Sequence, residues 1–177
     1  MSLRASATDH IYYEDATVPS SRVVRFPAVS RKMLREVDYQ AIHHRYREDW
    51  VALSVLWLGA MAVGVADSSL NETCENIQGR LAIFGAKMTE RPTIHVNLGR
   101  ARALVNAARD TVYAACAETD ARIAADAIPT ENDYCRQCSA GMQAVLLCDE
   151  AMRLTLRVLG GNGLREKTNF ERRYRDF

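Results

Sequence analysis

PTIHVNLGRARALVNAARDTVYAA, residues 92–115, sets Ile94, Leu98, Ala101, Val105, Ala108, Val112 and Ala115 at alternating spacings of four and three. On a helix of about 3.6 residues per turn, that alternation keeps every one of them on a single narrow stripe. Pro92 suits the first turn of such a helix, since its missing N–H has no partner there in any case. The many alanines let a neighbouring helix come close. No break appears before Asp120, so the stretch predicts a long helix packed along one seam, the signature of a helical bundle.

Working outward toward the N-terminus, VALSVLWLGAMAVGVA at 51–66 carries no charge at all. It falls short of the roughly 20 apolar residues a membrane-spanning helix needs, is closed by Asp49 and Asp67, and holds Ser54, Gly59 and Gly64 inside. The run is expected to be the centre of a helix over 41–83, buried on every side. A small bundle achieves that only if further subunits cover the outer face. Toward the C-terminus, Thr130 and Asp133 after Pro129 have capping-box spacing, and a third helix should run from there to Gly160-Gly161 with Cys138, Val145, Cys148, Met152, Leu156 and Leu159 on its apolar face. A short fourth helix begins near Asn169. Ahead of the bundle, 10–26 is rich in Tyr, Val and Ile, and Pro19, Ser20 and Ser21 divide it into two extended pieces that read as strands. Two strands make no stable sheet alone. The fold class is therefore mainly α: an antiparallel up-and-down bundle over 37–177, truncated at its end, preceded by a short β-strand remnant over 1–36 from the end of a β domain.

Composition bounds what such a bundle does. Lys and Arg number 23 against 22 Asp and Glu in 177 residues, so no broad field draws the chain to nucleic acid or to an anionic membrane. The expected partners are a small molecule and other copies of the chain. Residues 1–10 lack the basic-then-apolar layout of a secretion signal, so the cysteines are read as thiols in a cytoplasmic protein.

Few constellations carry chemistry. Cys135 and Cys138 form a C-x-x-C pair, but no second ligand pair and no thioredoxin-like pattern accompanies it, and small core residues are the simpler reading. His43 and His44 point about 100° apart on a helix and cannot share a metal. His95 sits one residue past the seam, as a polar flank. No carboxylate pair, no Ser/His/Asp set and no metal cluster stands out, so the catalytic residues stay unknown. Gly160-Gly161-Asn162-Gly163 exceeds what a helix stop requires. With Arg157, Arg165, Lys167, Arg172, Arg173 and Arg175 around it, the run can complement a pyrophosphate; with Glu166, Glu171 and Asp176 interleaved, it can equally be a solvated face.

Three patches in order resemble the C-terminal portion of the acyl-CoA dehydrogenase family. Arg4-Ala5-Ser6-Ala7-Thr8-Asp9 followed by Val18-Pro19 is similar to its "R-x-T-x-S-x-D … V-P" strand pair closing the middle β domain. Phe84-Gly85 followed by Ile94-His95 falls at the spacing of its "F-G-x-P … V-Q" segment. Leu159-Gly160-Gly161-Asn162-Gly163 followed by Arg173-Tyr174-Arg175-Asp176 resembles its "GGNG … R-x-x-R-D" ending.

The resemblance implies a homotetrameric FAD flavoprotein that removes an α-proton from an acyl-CoA while hydride passes to the flavin. This chain would supply assembly, as dimer or tetramer, and part of the cofactor pocket. On that basis Arg80, Phe84, Gly85, His95, Arg157, Gly160, Gly161 and Gly163 are the candidate cofactor contacts, and Ser6 and Thr8 lie near the flavin. The family's arginine two residues before Phe-Gly is Ala82 here, with Arg80 the nearest substitute; its glutamines are His95 and Arg157. The family's catalytic glutamate follows the R-D, where this sequence ends. The resemblance also implies an alternative, a reduced-flavin monooxygenase of the same fold acting on an aromatic small molecule, with FMN as its possible cofactor. A third reading is a non-catalytic assembly bundle. By itself the chain is expected to bind FAD weakly and to lack turnover.

Overall fold

The computed structural model describes residues 11–23, 48–82, 85–165 and 168–177. Four α-helices carry it: α1 (Trp50–Asn76), α2 (Pro92–Ala124), α3 (Glu131–Leu159) and α4 (Asn169–Asp176). Consecutive long helices are antiparallel, so α1 and α3 run side by side in the same direction with α2 reversed against both. Arg122 near the end of α2 accordingly meets Glu48 just before α1, while Arg102 meets Asp67 two-thirds of the way along α1.

The ends are set by local chemistry. Asp49 Oδ1 accepts from the Val51 and Ala52 amides at 2.8 and 3.1 Å, which starts α1 at Trp50 rather than at the expected 41. At the other end α1 stops at Asn76, short of the expected 83, because the chain turns at Ile77 and the Arg80 carbonyl accepts from the Met88 amide. Pro92 opens α2 as the sequence predicts. The capping box before α3 is complete: the Thr130 amide donates to Asp133 Oδ2 at 2.7 Å, and the Asp133 amide donates to Thr130 Oγ1 at 3.3 Å.

The seam of α2 matches its reading closely, with Ile94, Ala101, Val105, Ala108, Val112 and Ala115 buried and Leu98 half-buried. It continues through Thr119 and Ile123. On α3 the buried stripe keeps half of the expected residues and is rotated from the other half. Cys148, Met152 and Leu159 are buried as expected, joined by Gln137, Gly141, Ala144, Ala151, Thr155 and Val158, while Cys138, Val145 and Leu156 are only half-buried. Small residues explain the rotation. Backbones approach so closely that a Cβ on Gly141 would lie 2.3 Å from the Val55 carbonyl oxygen, and one on Gly59 would lie 2.9 Å from the Gly141 Cα. Leu70, Val105 and Leu154 fill the space beyond that contact, each burial stabilising the fold by roughly 1.5–3 kcal/mol.

The face of α1 that further subunits were expected to cover carries Trp57, Leu58 and Met61, 68%, 54% and 53% exposed in the single chain. α1 as a whole is long and apolar enough to cross a bilayer; one face packs against α2 and α3, and its Asp67 pairs with Arg102 and Arg109. Two expectations need correction, the strands and the cysteine pair. The expected strands do not form over 11–23, where every residue is exposed and the one regular element is a 3-10 turn at Ser20–Arg22. Strand propensity becomes structure only against a partner ladder, and none pairs with this stretch among the described residues. Lastly, Cys135 is exposed and Cys138 half-buried, so the pair is not a core pair; none of the five cysteines forms a disulfide. Residues 1–10 and His43 and His44 lie outside the described residues.

Candidate functional site

Where α1 ends, α3 ends and α4 begins, the three elements enclose a pocket of about 180 Å³ lined by Glu72, Thr73, Asn76, Arg80, Leu159, Asn162, Gly163, Thr168 and Phe170. Arg80 reaches it from a tight loop. The loop is held by the Leu81–Lys87 bridge, by the Ala82 amide donating to the Ala86 carbonyl at 2.7 Å, and by Gly85 in the left-handed region at φ 77°. Ile77 and Met88 anchor it against Ile94 and Val158.

The glycine run divides into distinct roles. Gly160, at φ 61° and ψ −152°, adopts a conformation open essentially to glycine alone and turns the chain out of α3. Gly163 packs tightly, since a Cβ there would lie 3.0 Å from Leu156 Cδ1 and from Leu159 Cβ and would push those side chains aside. Gly161 faces open space, with room for a ligand to approach its backbone. After the turn, Thr168 Oγ1 accepts from the Glu171 amide at 3.1 Å and starts α4, whose Phe170 is buried and stacks on Tyr174 with ring centroids 5.8 Å apart.

Electrostatically the pocket carries one acid and one base on its walls. Glu72 accepts from Asn169 Nδ2 at 3.3 Å and pairs with Arg173 Nη1 at 2.5 Å, both from α4. No carboxylate pairs with Arg80 among the described residues. The expected contacts therefore separate. Arg80 and Gly163 come together, joined by Asn162 and by Glu72, Thr73, Asn76, Thr168 and Phe170, which sequence reasoning did not find. Arg157, Gly160, Gly161 and Gly85 are exposed and do not line the pocket. His95 is exposed as well, and its Nε2 donates to the Thr89 carbonyl at 2.6 Å. Phe84, Ser6 and Thr8 lie outside the described residues.

Other concavities are less convergent. An open groove of about 570 Å³ between α2 and α3 holds Cys135 and the Glu118–Arg136 ion pair, and a pocket of about 260 Å³ between α1 and α2 ends on Asp67 and Arg109, which are bonded to each other. Among the described residues no group of three His, Cys, Asp or Glu side chains is placed to hold a metal ion.

A sequence profile described as "Acyl-CoA dehydrogenase, C-terminal domain" matches residues 56–177. No curated protein matches. Among solved structures, XiaF from Streptomyces sp., in complex with FADH2 and glycerol, superposes with a TM-score of 0.79 at 21% identity, over 92% of this chain and 41% of that one.

Proposed function

Since this chain belongs to the acyl-CoA dehydrogenase family, through the C-terminal domain that its profile matches, we propose that it forms the bundle part of a flavin-dependent oxidoreductase and that the Arg80 pocket receives the ADP half of FAD. The observation that carries the reading is the meeting of Arg80, free of any described carboxylate, with the Gly160–Leu164 turn. An arginine is the charged donor a pyrophosphate needs, and the turn sets the Asn162 side chain on the same wall. Flavin as the ligand is supported by the reduced flavin in XiaF, whose fold this chain shares over less than half of that protein's length.

In this reading the chain's residues bind and orient. Arg80 pairs with a phosphate, Asn162 and Thr168 offer polar side chains at the pocket wall, and Gly163 lets the turn pack flat on α3. The bound flavin would accept hydride from the β-carbon of an acyl-CoA during α,β-dehydrogenation. No residue of this chain is assigned as the base. A reduced-flavin monooxygenase is the second reading, favoured by the FADH2 of the structural neighbour. Both readings use the same pocket, and neither is a metal reaction. We also propose that the open α1 face of Trp57, Leu58 and Met61 is covered by further copies of the chain.

The test is a titration of the purified chain at low salt with FAD, ADP and FMN, read by flavin fluorescence and by calorimetry. FAD and ADP should bind weakly, more weakly still as salt rises, and Arg80→Ala should abolish binding. FMN binding as well as FAD, or indifference to Arg80→Ala, would refute the placement.

A further inference from the structure

Two opposite charges line the Arg80 pocket, and only one of them suits an anion. Glu72 projects from the last turns of α1 into the same 180 Å³ that Arg80 faces, so a diphosphate entering there meets a carboxylate beside its guanidinium partner. Arg173 resolves the conflict. Its Nη1 lies 2.5 Å from Glu72 Oε2, and Asn169 Nδ2 donates to Glu72 Oε1 at 3.3 Å. Both side chains of the ion pair are about equally shielded, 28% exposed for Arg173 and 30% for Glu72, so the pair is screened only partly by solvent. The remaining acid of α4 near this face, Glu171, is paired with Arg175 at 2.7 Å. Among the described charges of Arg80, Glu72 and Arg173, the pocket is left one positive charge in excess with Arg173 in place; without it, those of Arg80 and Glu72 cancel.

We infer that Arg173 sets the specificity of this pocket: by neutralising Glu72 from α4, it makes the cavity selective for a diphosphate-bearing ligand. The inference rests on the flavin reading above for the identity of that ligand, and on the Glu72–Arg173 geometry for the mechanism. Arg173 acts through Glu72 and is a positioning residue. Sequence and fold give it a second task, because the same bond helps dock α4 onto α1. The two tasks make different predictions. A dock needs a bond to Glu72; a charge shield needs only that Glu72 carry no net charge.

Glu72→Gln separates them, since the one oxygen of the glutamine can still accept from Arg173, giving up only the 3.3 Å Asn169 bond, while the negative charge is gone. The probe is inorganic pyrophosphate, titrated at low salt into the full chain by calorimetry, beside a parallel FAD titration. Glu72→Gln should bind pyrophosphate several-fold more tightly than the natural chain. Arg173→Leu should bind about tenfold more weakly, as an unpaired like charge at a binding surface requires. The double variant should bind as tightly as Glu72→Gln alone, because with the Glu72 charge gone Arg173 has nothing left to shield, a non-additive result that independent sites do not give. Helicity by circular dichroism should be the same in all four proteins. The inference is overturned if Glu72→Gln weakens binding as Arg173→Leu does, for then Glu72 only docks α4, or if the natural chain binds no pyrophosphate. Pyrophosphate obeying this pattern while FAD fails to bind supports the inference and sinks the flavin reading. FAD binding at the Arg80 pocket with no response to either substitution does the reverse.

Discussion

The two ends of the bundle each hold an ion pair that ties one element to another, and they treat it in opposite ways. Before α1, Glu48 is bonded by Arg122 Nε and Nη2 at 3.0 and 2.7 Å and by Gln137 Nε2 at 3.1 Å, while Thr119 accepts from Gln137 at 2.8 Å and Asp133 pairs with Arg122 at 3.3 Å. The side chains of Arg122 and Glu48 are 10% and 2% exposed. At the far end, Arg173 and Glu72 are three to many times as open and border a pocket. A carboxylate sealed among its donors contributes shape and register. One left partly in water, beside an arginine that pairs with no described carboxylate, is available to a ligand. Sequence shows the same pairing of residue types at both ends, and only burial tells them apart.

The largest effect should come from breaking the contact that holds both ends on one frame. Gly141→Val puts side-chain atoms where the Val55 carbonyl already lies, and should cost about 4 kcal/mol or leave no folded protein. Cys148 reports the damage, because burial pushes its thiol up to about 11 and keeps it inert in the folded bundle. It should alkylate rapidly in the variant and slowly in the natural chain; slow alkylation in both would mean that the helices can part to admit valine at no loss.

Next comes the sealed end. Arg122→Ala strands Glu48 in the interior and should cost about 3 kcal/mol in chemical denaturation. A loss below about 1 kcal/mol would show that water reaches Glu48 and that the two ends are alike. A smaller effect is expected at the adjoining cap. The Thr130 hydroxyl, then its amide, hold the Asp133 carboxyl below its ordinary value, with Arg122 adding to the shift. Its folded value being depressed, the stabilisation is full above the ordinary carboxylate value of about 3.9 and fades as pH falls through the lowered one. Asp133→Asn should therefore cost about 1 kcal/mol at neutral pH and much less in acid; a cost independent of pH would remove the charge from the explanation. Smallest of all, Arg173→Leu at the open end should change global stability by less than about 1 kcal/mol in thermal melts. A loss as large as that of Arg122→Ala would erase the contrast between the ends.

How legible each part was follows from how its residues signal. α2 was readable because its seam alternates large and small apolar residues from Ile94 to Ala115 against charged neighbours. The start of α3 was readable because a capping box is local. Its buried stripe was readable in part: Cys148, Met152 and Leu159 are buried as read, but Gly141, Ala144 and Thr155 face the core by closeness of backbone and carry little hydropathy, so Cys138, Val145 and Leu156 fell to one side. At the site, Arg80, the glycine turn, Arg157 and His95 were all named through the family resemblance; the fold brings Arg80 and Gly163 to one pocket and leaves Arg157 and His95 on the surface. Arg173 was among the arginines read around the glycine run, but its bond to Glu72 was out of reach for another reason. Their meeting depends on where α4 folds back on α1, and no periodicity within either helix encodes it.

The open face of α1 has one more consequence. The protein has two tryptophans, Trp50 and Trp57, and both stand on this helix. Trp57, 68% exposed, emits from a wet indole, so the intrinsic fluorescence of the whole chain is in large part an optical readout of that one surface. A blue shift and protection from acrylamide or iodide quenching as concentration rises would signal that the indole has been dried by a neighbour, with no label attached. The surface that the fold leaves bare thus reports on its own covering.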